Sequence, residues 1–292
     1  MRVLPVQDDL PLEPGHVTVE GVEAITFDFG NTLVPVSRAA LERVVALTAD
    51  AVCGRWADLD RERFLVAWAE ERDRQFLEEV PQFREVDLAQ RLVRVFARLR
   101  GSATPHRGDP WDDADAGQWS EPSDVEWAVE RYSRAFVDGL PPDPAAARLL
   151  AVLSAEHELA ILSNWPLAAT IDRYAEAHGW LSSLRAIVVS QRVGTIKPHP
   201  AIFAVARAEL GNPPPAAILH VGDDWAADVV GAAAVGWRTA WIANRPGDSP
   251  LPSSERDGAL EPDILLTGLG DLEEEFAARS GPASDPVPSA GM

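Results

Sequence analysis

The sequence predicts an α/β protein, a doubly wound parallel sheet into which an all-helical block is inserted. Three observations lead there. Short apolar runs recur at Ala24–Phe29, Leu159–Ser163, Ala186–Ser190, Ala216–Gly222, Thr239–Ala243 and Ile264–Thr267. Helical segments such as Leu167–Gly179, Pro200–Gly211 and Ala226–Val235 separate the later runs. Such alternation builds a parallel sheet covered by helices on both faces. The interval Ser37–Pro141, in contrast, reads only as helices, at 38–53, 59–79, 85–100 and 123–139.

In chain order, residues 1–19 read as a polar, proline-bearing tail, and the first strand opens a core expected over 20–36 and 142–278. Within the insertion, 37–141, Leu41, Val44, Val45 and Thr48 share one helical face, as do Leu88, Leu92, Val95 and Leu99. The connection Gly101–Pro122 carries Asp109, Asp112, Asp113, Asp115 and Glu121 and reads as a solvated loop. Arg245–Glu261 is of low complexity, and 279–292 reads as a second tail.

Composition excludes several classes. The chain has 292 residues, 46% of them hydrophobic, which suffices for a core and rules out global disorder. Acids number 46 and bases 26, a formal net charge of −20, so nucleic acid and anionic membrane surfaces are unsuitable partners. Cys53 is the one cysteine, which excludes an intrachain disulfide and a cysteine-based metal cluster. Met1–Pro14 has no apolar core of a leader, and no apolar run approaches the ~18 residues of a membrane span. A cytoplasmic protein is expected. Of the 26 basic residues Lys197 is the only lysine, leaving 25 arginines. A lone ammonium in an arginine-using chain either is chance or marks a place where a guanidinium does not fit.

Ligands of open α/β sheets bind beyond the carboxyl ends of the strands, and there the chain places its reactive groups. Asp28 leaves the first strand and reads as a nucleophile, a metal ligand or a turn aspartate. Ser163 and Asn164 precede a helix, where they could hold an anion or cap the helix. Lys197 lies between Pro198 and the preceding strand, able to neutralise a phosphate and a carboxylate. His199 beside it reads as a surface or capping residue. Asp223, Asp224 and Asp228 form an acidic cluster that suits Mg²⁺. Compensation of a helix dipole explains Asp224 equally well and Asp223 poorly.

Taken in order, Phe27-Asp-Phe-Gly-Asn-Thr-Leu33, Ile161-Leu-Ser-Asn164, Val193-Gly-Thr-Ile-Lys-Pro198 and His220-Val-Gly-Asp-Asp-Trp-Ala-Ala-Asp228 resemble the haloacid dehalogenase-like hydrolase superfamily. The resemblance implies a Rossmann-like core with the helical block as a cap. It implies Asp28 as the nucleophile, forming an aspartyl-phosphate or aspartyl-ester. Ser163 and the backbone N–H of Asn164 would hold the phosphoryl oxygens, and Lys197 would join Asp28 to the transferring group. Mg²⁺ would bind Asp28, the carbonyl of Gly30 and Asp223, supported by Asp224 or Asp228. The expected partner is a small phosphate ester.

One position departs from the family's phosphatases. They carry a second aspartate two residues after the nucleophile as general acid and base, a group typically worth 10²–10⁴-fold. Here that position is Gly30. Three readings follow: a Mg²⁺-dependent phosphatase suited to good leaving groups, a 2-haloacid dehalogenase-type hydrolase, or a catalytically degraded binding module. The intact Gly222-Asp223 and Asp228 favour the first. In the cap, Arg61, Arg63, Arg72, Arg74, Arg84, Arg91 and Arg94 form a solvated helical face or an anion site. Trp56, Trp68, Trp111, Trp119 and Trp127 serve a core, an apolar pocket or a dimer contact.

Overall fold

The computed structural model describes residues 19–106 and 109–277. The expected tails, apart from Val19, lie outside the described residues. Six parallel strands form one sheet in the order β3-β2-β1-β4-β5-β6. They are β1 (Ala24–Phe27), β2 (Glu158–Ser163), β3 (Ala186–Val189), β4 (Ile218–Gly222), β5 (Arg238–Ile242) and β6 (Ile264–Leu266). All four residues of β1 are buried, as a strand covered on both faces requires. In register, Phe27 stands opposite Ile161 on one side and Val221 on the other. The residues that follow β1, β2 and β4 therefore emerge along one edge, at the point where the strand order reverses.

The inserted block holds α1 (Arg38–Arg55), α2 (Arg61–Glu79), α3 (Leu88–Leu99), α4 (Asp113–Gly117) and α5 (Pro122–Gly139). Ser37, Asp60 and Asp87 cap the first three by accepting backbone N–H bonds from Ala40, Arg63 and Gln90. The third helix thus starts at Leu88, three residues later than expected. Asp87 takes the capping conformation, so Glu85 and Val86 stay outside the helix. The remaining helices, α6 (Ala146–Leu153), α7 (Ala168–Ala177), α8 (Ser190–Val193), α9 (Pro200–Glu209), α10 (Gly231–Ala234) and α11 (Leu269–Ala277), belong to the sheet layers. The helix expected at Ala226–Val235 opens as a wider π-helical turn, Trp225–Val230, and continues as α10.

The connection Gly101–Pro122 is not merely solvated, contrary to the reading from its charges. It contains α4, and Trp111 and Ala116 pack into a small cluster with Ala97 of α3. Trp111 donates its indole N–H to Glu71 Oε2 at 2.9 Å, and Arg98 donates to the other oxygen of this fully buried carboxylate at 2.9 Å. Arg74 donates to the carbonyls of Pro105 and Asp109. A buried tryptophan outweighs the preference of five acids for water.

The helical block shares its core with the sheet. Phe29 and Phe136 contact each other, and each contacts both Trp165 and Tyr174, with ring centroids 5.2–6.1 Å apart, bringing together β1's exit, α5, β2's exit and α7. Two main-chain bonds stitch the junction, Leu88 N–H to Pro166 O at 3.0 Å and Ile196 N–H to Phe83 O at 3.1 Å. No helix among the described residues is long and apolar enough to cross a membrane.

Trp111→Ala is expected to lower unfolding stability by about 3 kcal/mol, since it removes a buried ring and a bond to a buried carboxylate. Chemical denaturation measures this. A freely solvated loop would leave the midpoint unmoved.

Candidate active site

The sheet edge carries one buried ammonium between two carboxylates. Lys197 Nζ donates to Asp28 Oδ1 at 2.8 Å, to Asp228 Oδ1 at 2.6 Å and to the carbonyl of Leu162 at 2.8 Å. All three ammonium hydrogens are used, and the side chain is 1% exposed. Burial alone would lower the Lys197 pKa; the charges of Asp228 and Asp28 overcome it and hold the ammonium above its ordinary range. Asn164 sets the backbone that delivers it. Its side-chain carbonyl accepts from Lys197 N–H at 2.7 Å and its amide donates to Lys197 O at 3.0 Å. The Asn164 side chain is therefore a clamp on the lysine loop, and only its backbone N–H stays available for an anion.

Asp28, Asp223 and Asp228 each offer a carboxylate oxygen within 4.8 Å of the others. Asp228 is the most committed: Lys197 and His220 Nε2 share its Oδ1, and its Oδ2 accepts from Asp224 N–H at 2.9 Å. Burial raises its pKa, but Lys197 and His220 win and hold it below the usual carboxylate range. A carboxylate only accepts, so His220 donates from Nε2, and its Nδ1 takes the Thr26 hydroxyl at 2.7 Å. Burial pushes the pKa of this imidazole down. Gly222 makes room for Asp228: a Cβ there would lie 2.2 Å from the Asp228 carboxyl carbon. Asp223 Oδ2 accepts from Asn31 at 3.3 Å and pairs with Arg245 at 3.2 Å. Burial, then Asp28 and Asp228, still push Asp223 well above its ordinary value. Burial likewise raises Asp28 against the pull of Lys197.

Asp224 stands apart from this cluster. Its Oδ1 accepts from Ala227 N–H and the Ser254 hydroxyl, and its Oδ2 from Ser254 N–H. It caps the π-helical turn and anchors a loop, so the capping alternative describes it and the metal-supporting role does not. His199 is likewise the cap of α9, accepting from Ala201 N–H.

Two buried hydroxyls of the strand-end segments, Ser163 Oγ at the end of β2 and Thr32 Oγ1 after β1, have no partner among the described residues. An orphaned buried hydroxyl is what a phosphoryl or other anionic ligand would satisfy. The hard oxygen donors and the raised Asp223 and Asp28 fit a divalent cation, which would relieve their mutual repulsion. Around Gly30 the turn's backbone bonds use the carbonyls of Phe29 and Val34 and leave that of Gly30 outside them. Asn31 adopts φ 59°, which asparagine tolerates. The space above Gly30 is filled. A Cβ there would meet Leu251 Cδ1 at 2.6 Å and Trp165 Cζ3 at 3.2 Å.

Above the cluster opens a cavity of about 750 Å³. Asp28, Lys197 and Asp223 line its floor, while Leu65, Trp68, Phe76 and Tyr132 of the helical block line its walls.

A sequence model described as haloacid dehalogenase-like hydrolase matches residues 22–236. The chain belongs to that family. It is also similar to the pyrimidine 5'-nucleotidase YjjG of Escherichia coli (strain K12), 28% identical over 158 residues, 53% of this chain and 67% of that protein. The 2-haloacid dehalogenase of Pseudomonas syringae pv. Tomato DC3000 has the same fold, with TM-score 0.60 and 20% identity, covering 88% of this chain and 99% of the other. A HAD phosphatase from Thermococcus onnurineus matches with TM-score 0.54 and 21% identity, over 87% and 97%.

Several groups of this hydrolase's site went unassigned in the sequence. His220 and Asn31 lie inside the motifs, so proximity was a usable signal. Arg245, Ser249 and Leu251 come from the low-complexity stretch and had none. Glu85 comes from the cap: its carboxylate accepts from the Ser190 hydroxyl and from Val86 N–H, and it lines the cavity.

Burial pushes Glu85 up to about 7, against the Ser190 and Val86 bonds that favour its charged form. An acid with a folded pKa above its unfolded value loses stability as pH rises between the two, here from about 4.5 to 7. Glu85→Gln is expected to gain on the parent over that window, by on the order of 3 kcal/mol once pH exceeds 7. Denaturation midpoints of both proteins at pH 4.5 and 8 measure it. Parallel pH profiles would disprove the assignment.

Proposed function

We propose that the chain is a Mg²⁺-dependent phosphatase acting on small phosphate esters through an aspartyl-phosphate at Asp28. In this reading the segment 37–141 is the cap that selects the substrate over a core of 20–36 and 142–278. The observation that carries it is the acidic cluster: three buried carboxylates face a single ammonium and a single guanidinium, an arrangement that calls for one more cation. Asp28, Asp223 and the Gly30 carbonyl would hold Mg²⁺. The ion, when bound, would neutralise charge on the phosphoryl oxygens.

The protein's own groups divide the remaining work. Lys197 holds Asp28 Oδ1, which leaves Oδ2 to attack phosphorus. The Asp28–phosphorus bond forms as the bond to the leaving oxygen breaks, and water then attacks the acyl phosphate to release phosphate and free Asp28. The Ser163 hydroxyl and the N–H of Asn164 would donate to the equatorial oxygens, and Lys197, its three hydrogens already placed, would stabilise them through its charge. Gly30 supplies no proton to the leaving group, and Leu251 and Trp165 exclude water from where an acid would stand. Stable leaving groups such as aryl oxides suit the site best.

A second reading, hydrolysis of a 2-haloacid through an aspartyl-ester, draws on the Arg245–Asp223 pair. That pair supplies a cation without a metal, and a halide leaves unprotonated.

The phosphatase reading expects turnover of an aryl phosphate with millimolar Mg²⁺, its loss in EDTA and in Asp28→Asn, and a Mg²⁺-dependent rise in melting temperature. Halide release from 2-haloacids in EDTA, with no action on aryl phosphates, would replace it with the second reading.

The Gly30 geometry gives a sharper expectation. Gly30→Asp alone should help little, because Leu251 occupies the new side chain's place. Gly30→Asp with Leu251→Ala should raise alkyl over aryl phosphate turnover by about 10-fold or more. Leu251→Ala alone is the control. A wild type that already treats both ester classes alike would show that another acid serves the site.

A further inference from the structure

The helical-block wall of the cavity carries a buried cation that is bonded to no carboxylate among the described residues. Arg91 of α3 is 4% exposed. Its Nε donates to Gln75 Oε1 at 2.9 Å, and its guanidinium lies 5.2 Å from the ring centroid of Trp68. Among the described residues it forms no ion pair, and its two terminal amino groups make no hydrogen bond. The acids whose charge reaches it are already engaged. Glu85 is tied to Ser190 and Val86, and Asp87 accepts from Gln90 N–H and Gln191.

A second cation makes the position worse for the empty protein. Arg72 of α2 also lines the cavity, donates to the carbonyl of Pro250 at 3.0 Å and has no ion pair among the described residues. Burial, helped by the charge of Arg72, brings the Arg91 pKa down to about 10, so the guanidinium keeps its charge at neutral pH in an unfavourable place. Tyr132 lines the same wall, and its hydroxyl has no partner among the described residues. Two guanidiniums and a phenol around one apolar cavity, with no acid bonded to any of them, are complementary to an anion. Burial of an unanswered charge is costly, and a fold retains it where a ligand completes it.

We propose that Arg91, with Arg72 and Tyr132, is an anion subsite on the helical-block wall of the cavity whose floor carries Asp28. The substrate is then bis-anionic: a phosphate ester at Asp28, an apolar or aromatic body along Leu65, Trp68 and Phe76, and a second anionic group, carboxylate or phosphate, at Arg91. The assignment of the first anion rests on the phosphatase reading; the subsite itself does not.

Calorimetric titration of the full chain with non-hydrolysable probes tests it. The probes are benzylphosphonate, 4-(phosphonomethyl)benzoate and 1,4-bis(phosphonomethyl)benzene, with phenylacetate and 1,4-phenylenediacetate as a phosphorus-free pair. Both bis-anionic phosphonates are expected to bind at least 10-fold tighter than benzylphosphonate, and the better of the two names the second group. In Arg91→Gln, and independently in Arg72→Gln, that preference should fall by most of its value. Equal affinity for mono- and bis-anions in wild type overturns the subsite, as does a preference that survives both substitutions. Tight benzylphosphonate binding with no gain from the second anion sinks the subsite and leaves the phosphatase reading standing. A preference for the diacetate over phenylacetate in a protein that turns over no aryl phosphate does the reverse. Failure of every probe to bind overturns both.

Discussion

The site depends on one ammonium. Lys197 spends its three hydrogens on Asp28, Asp228 and the carbonyl of Leu162, and it reaches all three because the sheet order puts β2, β1 and β4 side by side. Removed from water, the carboxylates would repel one another and take up protons; the ammonium keeps Asp228 ionised and limits the rise at Asp28. A guanidinium is planar and larger, and it cannot point three donors at a tetrahedral set of acceptors in a space so closed. The Asn164 clamp on the lysine backbone and the Gly222 gap under Asp228 both serve this arrangement.

Core and cap divide the labour by polarity. The strand ends supply charge, concentrated where backbone N–H groups and buried hydroxyls can orient it. The helical block supplies aromatic and aliphatic walls, which exclude water and strengthen every electrostatic contact on the floor. Gly30 fits this division. Above Gly30, Leu251 and Trp165 extend the apolar wall down to the first strand's exit. The raised Glu85 belongs to the same balance, a carboxyl placed where its charge is poorly solvated and its neutral form is comfortable.

The strands were legible because each is a short apolar run buried on both faces, a pattern with few alternatives. The convergence of Asp28, Lys197, Asp223 and Asp228 was legible because parallel topology sends every strand end to the same edge. Asp224 was not separable from its neighbours by sequence: a capping aspartate and a ligand aspartate look alike until a partner such as Ser254 is found. Arg245 and Leu251 were invisible for a related reason. They lie in a stretch without periodicity, and only the closed fold carries them over the first motif. The acidic connection misled because charge counts describe most residues of a loop, whereas one tryptophan settled where Gly101–Pro122 lies. Glu85 was read inside a helix, and the cap at Asp87 moved it out to the cavity wall.

The arginine-heavy composition has a practical corollary. Lys197 is the chain's sole side-chain amine, and it is sealed, protonated and fully hydrogen-bonded in the native fold. Acylating and aldehyde reagents need an unprotonated, accessible nitrogen, so the folded protein offers them no lysine at all. Labelling at that residue becomes possible only when the strand-end loop opens, which makes the buried ammonium a chemical reporter of its own integrity.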